Sequence, residues 1–160
     1  MQGLDVDEIT QIAKLFVKQY IPKIIRPELL NCIEQHKKAG DHVILITGAP
    51  SFLANEIGQY IGVAEVESTH CDVCGSTFTA GLPRQHPFAE GKLAIARELC
   101  ERYNVDIKAT VAYGNSYNDR ILLEAVGQPV AVTPDRWLRK IARSRGWEIL
   151  DIPPKKSVRT

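Results

Sequence analysis

The chain has 160 residues, of which 44% are hydrophobic and 24% charged, values typical of one globular domain with an apolar core. The formal net charge of +1 disfavours nucleic acid and membrane surfaces as partners attracted by the overall field. There is no apolar run of the roughly 18 residues that a membrane span needs, no signal-peptide pattern, and only four scattered cysteines, so we expect a cytoplasmic protein without membrane contact.

The first part of the chain predicts two helices. Over residues 6–20, apolar side chains recur at helical spacing and predict a helix. These side chains are Ile9, Ile12, Phe16 and Tyr20. Asp5 or Asp7 is available as the cap of this helix. A second helix is predicted from about Pro27 to Lys38, because proline is favoured in the first turn.

After residue 40 the pattern alternates strands and helices. The predicted strands are 42–48, 64–66, 110–113 and 129–132, and a hairpin is predicted over 69–80. The predicted helices are 50–60, 89–103, 119–126 and 134–145. Within the run from His42 to Gly48, the residues 43–46 are continuously apolar, which is typical of a strand buried on both faces. Such alternation predicts a parallel sheet with helices on both faces.

In a parallel sheet of this kind, the working groups lie at the carboxyl ends of the strands. That rule selects three loops, 47–50, 114–119 and 133–135. The first begins with the hydroxyl of Thr47 and with Gly48, whose backbone can approach an anion at the start of the next helix. The second combines a glycine turn with amide, hydroxyl and carboxylate groups. Lys92, on a predicted helix between the two loops, supplies a positive charge.

Taken in order, these residues resemble motifs of the haloacid dehalogenase superfamily. Val43–Gly48 resembles the second motif, in which Thr or Ser ends a strand and binds the phosphoryl group. Glu90-Gly91-Lys92 resembles the third motif, and Gly114–Asp119 the fourth, which is normally Gly-Asp-x-x-x-Asp. The resemblance covers about residues 4–151 and is nearest to the phosphoserine-phosphatase-like branch, subfamily IB. It implies a three-layer, Rossmann-like α/β hydrolase that uses Mg²⁺ on a phosphorylated small molecule.

The resemblance also implies roles for individual residues. Phosphate binding is expected of Thr47, Gly48 and Lys92, and catalytic roles of Lys92 and Asp119. Asn115 and Asp119 are expected beside the metal. Asn115 stands where the family has an aspartate, and a neutral amide is a poorer Mg²⁺ ligand than a carboxylate. Metal binding by this chain is therefore expected to be weak or lost.

A second departure concerns the nucleophile, which the family carries as an aspartate in an Asp-x-Asp motif at the end of its first strand. Here the candidate is Asp5-Val6-Asp7, which follows four residues rather than a buried strand and leads into a predicted helix. We therefore expect a sheet that lacks the first strand and its nucleophile. By the resemblance, residues 1–38 form a remnant helical cap, 39–152 the α/β core, and 153–160 a flexible basic tail.

Three functions stay open at this point. The first is a phosphatase-like protein that is inactive or severely impaired alone, as a truncated enzyme or pseudoenzyme. The second is an active Mg²⁺-dependent phosphatase whose nucleophile comes from a missing or separate segment. The third is a non-catalytic module that binds a phosphate-bearing ligand or a protein. Because the absent strand would leave sheet edges uncovered, we expect a dimer or a complementing chain.

Two other patterns have simpler interpretations. His70, Cys71, Cys74 and His86 suggest a zinc site, but a single Cys-x-x-Cys is weak and a hairpin turn at Gly75 explains the spacing. A run of basic residues follows near the end of the chain: Arg136, Arg139, Lys140, Arg143 and Arg145. We interpret it as a solvated helix face rather than a nucleic-acid patch, and the neighbouring tryptophans as core or helix-packing residues.

Overall fold

A computed structural model describes residues 2–79 and 86–153. Within it the chain divides into two compact units, an N-terminal unit that ends at His86 and a C-terminal unit that begins at Pro87. The expected division into a cap remnant before residue 39 and a core after it stays a prediction. Apart from its first residue, the expected basic tail lies outside the described residues.

The N-terminal unit contains three helices and two parallel strands, followed by a short hairpin. The helices are α1 (Val6–Ile24), α2 (Pro27–Ala39) and α3 (Ser51–Ile61). The parallel strands are β1 (Ile44–Pro50) and β2 (Glu65–Thr69), and the hairpin strands are β3 (Val73–Cys74) and β4 (Thr77–Phe78). Asp5 is the predicted cap of α1: its Oδ1 accepts the N–H groups of Asp7 and Glu8, each at 3.0 Å.

The buried residues of α1 are not the ones whose spacing predicted the helix. Its buried residues are Ala13, Val17 and Ile21, on the side that contacts α3. Phe16 and Tyr20 are exposed and stack on each other, with ring centroids 5.1 Å apart. The apolar surface of α1 is wider than one stripe, and its small and β-branched residues take the helix-packing side. The large apolar side chains Phe16 and Tyr20 lie outside this packing side.

β1 and β2 run parallel, but their register shifts where β1 leaves the sheet. Ile46 pairs with Glu67, and the next pairing joins Pro50 to Thr69, so β1 advances four residues while β2 advances two. The extra residues form a bulge over 47–49, and bulges commonly re-aim side chains beside functional sites. β1 was predicted to be buried on both faces, and this is wrong for the unit as it stands. All of its apolar residues are only partly buried.

The first residues of the chain run beside the hairpin, not into a parallel sheet. Gly3 donates its N–H to the Phe78 carbonyl at 2.9 Å, and Phe78 donates to the Leu4 carbonyl at 2.9 Å. The hairpin itself turns at Gly75, which has a φ of 61° and so favours glycine. Asp5 thus follows an antiparallel segment beside β4 and starts a helix.

The C-terminal unit is a three-stranded parallel sheet with three α-helices. Its strands are β5 (Val111–Gly114), β6 (Gln128–Val132) and β7 (Glu148–Leu150), hydrogen-bonded in that order. Its helices are α4 (Glu90–Tyr103), α5 (Arg120–Ala125) and α6 (Arg136–Arg145), with a short 3-10 turn over Tyr117–Asp119 before α5. Parallel strands that alternate with helices confirm the predicted α/β class. Strand β7 was not predicted.

The core of this unit lies between β6, α5 and α6. Its fully buried members are Leu123, Ala131, Leu138 and Ala142, and Trp147 packs against them as predicted. Trp137 is not a core residue, since it is 54% exposed and lies under the Arg136 guanidinium at 4.4 Å. Within the described ranges, no helix combines the length and apolar character needed to cross a membrane.

Candidate functional site

A partly buried ion pair joins the first turn of α4 to the end of the loop after β5. Lys92 Nζ lies 2.5 Å from Asp119 Oδ1. Asp119 is 5% exposed, and it is the one charged residue that is buried in the described part of the chain. The Lys92 side chain keeps 21% of its surface exposed, so the pair is only partly buried. Asp119 thereby holds the Lys92 ammonium group in place at the carboxyl end of the sheet.

The second oxygen of Asp119 shapes the loop that precedes it. Oδ2 accepts the N–H groups of Asn115 and Ser116, each at 3.0 Å. This fold-back needs glycine at the end of β5, because a Cβ atom at Gly114 would lie 2.7 Å from Asp119 Cβ. Gly114 is thus required for the close approach of the carboxylate and not for a positive φ.

Four consecutive N–H groups of this loop are held by side-chain oxygens. Besides the two on Asp119, Tyr117 donates to Asp135 Oδ2 at 2.7 Å and Asn118 donates to Ser116 Oγ at 3.1 Å. A loop whose donors are satisfied internally is rigid and does not use those donors to cradle an anion. Its contribution is to place Asn115 at the surface and Asp119 against Lys92.

Asp135 lies at the carboxyl end of β6 and contacts two elements at once. Its Oδ1 accepts the N–H groups of Trp137 at 3.0 Å and Leu138 at 2.8 Å, which caps α6. Its own N–H donates to the Asn115 carbonyl at 2.9 Å. Desolvation acts to raise the pKa of the Asp135 carboxyl. The N–H donors of Leu138, Tyr117 and Trp137, with Arg136 nearby, outweigh it and hold the pKa below its usual range.

The other predicted phosphate ligands, Thr47 and Gly48, lie in the bulge of β1 in the N-terminal unit. Thr47 Oγ1 accepts the Ala49 N–H at 3.2 Å. The Gly48 carbonyl accepts the hydroxyl of Thr69, at the end of β2, at 2.9 Å. Because that proton is donated to Gly48, the 2.9 Å contact of Thr69 Oγ1 with His86 Nδ1 requires the histidine nitrogen to be the donor.

The structure brings three of the predicted site residues together in the C-terminal unit: Lys92, Asn115 and Asp119. Sequence reasoning missed the supporting roles of Asp135 and Thr69. The strand-end rule did select the loop of Asp135, and an Asp directly before a helix is a capping signal. Thr69 was missed because β2 was predicted to end at residue 66, so its carboxyl end was not recognised.

The described residues do not by themselves form a Mg²⁺ site. Both oxygens of Asp119 are engaged, one with Lys92 and one with backbone N–H groups. Asn115 is exposed and offers a single amide oxygen. No group of three or more His, Cys, Asp or Glu able to hold a metal occurs within residues 2–79 and 86–153. Mg²⁺ prefers several oxygen ligands including carboxylates, so it would need more from elsewhere.

The basic residues of α6 are partly neutralised by acidic neighbours. Arg139 makes two hydrogen bonds to the Asp151 carboxylate, at 2.7 and 2.5 Å, and these hydrogen bonds are the main reason that the pKa of Asp151 lies below its usual range. Arg145 pairs with Glu124 at 3.0 Å. These pairs support a solvated helix face over a nucleic-acid patch.

Comparison with known proteins shows the family to which the chain belongs. The model of the haloacid dehalogenase-like hydrolases matches residues 1–124. The chain belongs to this family. It is 32% identical over 150 residues to the Inhibition of morphological differentiation protein of Streptomyces azureus, covering 94% of this chain and 54% of that protein. It is 33% identical over 151 residues to Phosphoserine phosphatase SerB1 of Mycobacterium tuberculosis, covering 94% of this chain and 49% of that protein.

Among solved structures, the chain is similar to a protein of unknown function from Bordetella pertussis Tohama I. The TM-score is 0.86 at 26% identity, and the match covers 92% of this chain and 68% of that one. The shared fold confirms the predicted α/β architecture of the family. The chain spans about half the length of the two curated relatives named here.

Proposed function

We propose that this chain carries the phosphate-binding and lysine-bearing part of a phosphomonoester hydrolase site, and that these 160 residues hydrolyse little or nothing unaided. The observation that carries the proposal is the partly buried pair of Lys92 and Asp119. A buried carboxylate that fixes one lysine at the end of a parallel sheet fits the binding of an anion. The phosphatase name of one relative supports a phosphorylated small molecule as the ligand.

In this proposal each group has a defined task. The Lys92 ammonium neutralises phosphate oxygens, and Asp119 holds it in one orientation. In the N-terminal unit, Thr47 and the Gly48 N–H group, in the bulge of β1, offer a hydroxyl and a backbone donor that suit a phosphate oxygen. Asp119 is a positioning residue here, since its oxygens are occupied.

The proposal that no nucleophile acts within these residues rests on the aspartates at the start of α1 and those in the loops after β5 and β6. Asp5 accepts two N–H groups at the start of α1, and Asp7 lies exposed in the first helical turn. Asp119 and Asp135 both accept backbone N–H groups beside the candidate site. Covalent catalysis needs a carboxylate that is free to attack phosphorus. We expect that carboxylate to come from outside these residues.

Titration of the isotope-labelled chain with inorganic phosphate, followed by NMR, tests the binding part. We expect saturable shifts of the Lys92 side chain and of the Gly48 amide. Lys92→Ala and Thr47→Ala should each weaken binding by about tenfold, the cost of one charge-assisted contact. Lys140→Ala, an exposed lysine on α6, is the matched control. Equal effects of Lys92→Ala and Lys140→Ala would overturn the proposal.

A second candidate function is an active phosphatase that another segment completes. The edges of β1 and β5 favour it. Among the described residues of its own unit, β1 pairs with β2 alone and β5 with β6 alone. Ile44, Leu45 and Ile46 are only partly buried, as are Val111 and Ala112. Edges of this kind accept a further strand. Its Asp-x-Asp carboxylates would also supply Mg²⁺ ligands beyond those of the described residues.

Addition of a peptide with an apolar strand that ends in Asp-x-Asp tests this candidate. Slower amide exchange in β1 and β5, together with Mg²⁺-dependent turnover, is the expected result. A matched peptide with Asn-x-Asn should slow exchange without turnover. Unchanged exchange at a peptide excess that saturates any binding would rule out this mode of completion.

A further inference from the structure

We propose that Asp135 is a positioning residue for the Lys92–Asp119 pair, acting through the backbone of Tyr117. Its two oxygens serve different elements: Oδ1 caps α6, and Oδ2 accepts the Tyr117 N–H at 2.7 Å. A helix cap needs only the first of these. The second contact extends from the end of β6 to the loop that carries Asp119. The inference rests on the proposed function only where phosphate binding is concerned.

The route from Tyr117 to the ion pair is short. Tyr117 begins the 3-10 turn that ends at Asp119, and the Asp119 N–H closes that turn on the Ser116 carbonyl at 2.9 Å. A shift of the Tyr117 backbone therefore moves the Asp119 carboxylate. Since Asp119 holds Lys92 Nζ, the ammonium group would move with it.

We call the hydrogen bond from Tyr117 to Asp135 the tether. Its other end, at Asp135, is held in place by the neighbouring backbone. Thr133, two residues before Asp135, donates its N–H to the Leu150 carbonyl at 2.9 Å, and its hydroxyl exchanges hydrogen bonds with the backbone of Ile152. Thr133 has a φ of 40°, an uncommon value for a β-branched residue that persists only where surrounding contacts impose it. β6, which leads into this loop, is buried at Val130, Ala131 and Val132. Through its contact with Tyr117, Asp135 thus links the loop to the buried core of the unit.

The simpler interpretation, that Asp135 only caps α6, can be separated from this one by two substitutions. In Asp135→Asn the side chain keeps one acceptor oxygen, which can cap α6, and replaces the other with an N–H₂ group that cannot accept from Tyr117. In Asp135→Ser the hydroxyl still caps the helix but is too short to reach the loop. Asp106→Asn is the matched control. Asp106 caps the turn over Ile107–Ala109 through Lys108 N, so this side-chain hydrogen bond stays within its own turn.

The test is an NMR comparison of these variants of the full chain, first without phosphate and then with inorganic phosphate. Without phosphate, we expect Asp135→Asn and Asp135→Ser to speed exchange of the Tyr117 amide and to shift the Asp119 amide and the Lys92 side chain. The amides of α6 should stay protected. With phosphate, the dissociation constant should rise about two- to tenfold, the range for one lost hydrogen bond.

The outcomes separate the two proposals. If the wild-type chain shows no phosphate-dependent shift, the proposed function fails, while the phosphate-free spectra still report on the tether. If the Asp119 amide and the Lys92 side chain in both Asp135 variants match those of Asp106→Asn, the tether does not exist. Loss of protection throughout α6 in both variants would assign Asp135 to helix capping and overturn the inference as well.

Discussion

The Asp119 side chain lies directly against Gly114, where an added Cβ atom would come within 2.7 Å of Asp119 Cβ and 3.1 Å of its carboxylate carbon. The two residues are the ends of the loop that follows β5. Their contact lets the carboxylate fold back under its own loop and still reach Lys92. The spacing of glycine and aspartate in this motif is therefore a packing requirement.

Gly114→Ala should displace Asp119 and weaken its contact with Lys92. We expect a loss of about 1–3 kcal/mol in the free energy of unfolding, typical of an overpacked site, measured by urea denaturation. Asn118→Ala, at an exposed position of the same loop, is the control and should change stability by less than about 0.5 kcal/mol. Equal stability of the two variants would show that the loop relaxes freely around an added methyl group.

Removal of one member of the ion pair should leave the other uncompensated. Lys92→Met keeps the apolar stem of the side chain but leaves the Asp119 carboxylate buried without its cation. We expect a cost on the order of 2 kcal/mol, below the range for fully buried pairs because the lysine is partly exposed. Asp119→Ala should cost more, since it also removes the acceptor for Asn115 and Ser116. The reverse order in chemical denaturation would contradict this assignment.

The carboxylate of Asp135 should make stability depend on pH in the acid range. Its pKa in the folded chain lies below the usual value, so its stabilisation is fully present above the unfolded pKa of about 3.9 and is lost as pH falls through the folded pKa. The difference in urea midpoint between wild type and Asp135→Asn should be constant above about pH 5 and should shrink below pH 4. A difference that shrinks on the alkaline side would contradict the assignment.

The packing face of α1 can be tested by two neighbouring substitutions. Val17 is buried in α1, a helix that contacts α3, and its neighbour Phe16 is exposed. We expect Val17→Ala to lower the unfolding free energy by about 1–3 kcal/mol and Phe16→Ala by less than about 1 kcal/mol. A larger loss for Phe16→Ala would contradict this packing face, and would show that a partner covers Phe16.

Much of the architecture could be predicted from the sequence, because hydrophobic periodicity and turn residues mark the strands and helices of a parallel α/β fold. The predicted helix over 89–103 differs from α4 by one residue at its start. β7 could not be predicted, since three residues are too short to show a period. The inward face of α1 could not be predicted, because hydrophobic spacing identifies a helix but does not say which part of a wide apolar surface meets a neighbour.

The candidate site was predictable where single residues follow strands, and less so where contacts join separate loops. Asp119 and Lys92 were placed by motif order, and they do form an ion pair. The tether from Asp135 to Tyr117 spans 18 positions, and no local pattern encodes such a contact. The hydrogen bonds of the four successive N–H groups of residues 115–118 likewise depend on how the loop folds back in three dimensions.

The most direct test of the proposed function is Mg²⁺-dependent hydrolysis of a generic aryl phosphate by the purified 160-residue chain, with Lys92→Ala and Asp7→Ala measured beside it. If the chain lacks its nucleophile, turnover should not exceed the background shared by both variants, although wild type still binds inorganic phosphate. Turnover that Lys92→Ala abolishes would contradict the expected inactivity and show that the site works unaided. Loss in Asp7→Ala would then identify the carboxylate at the start of α1 as the attacking group.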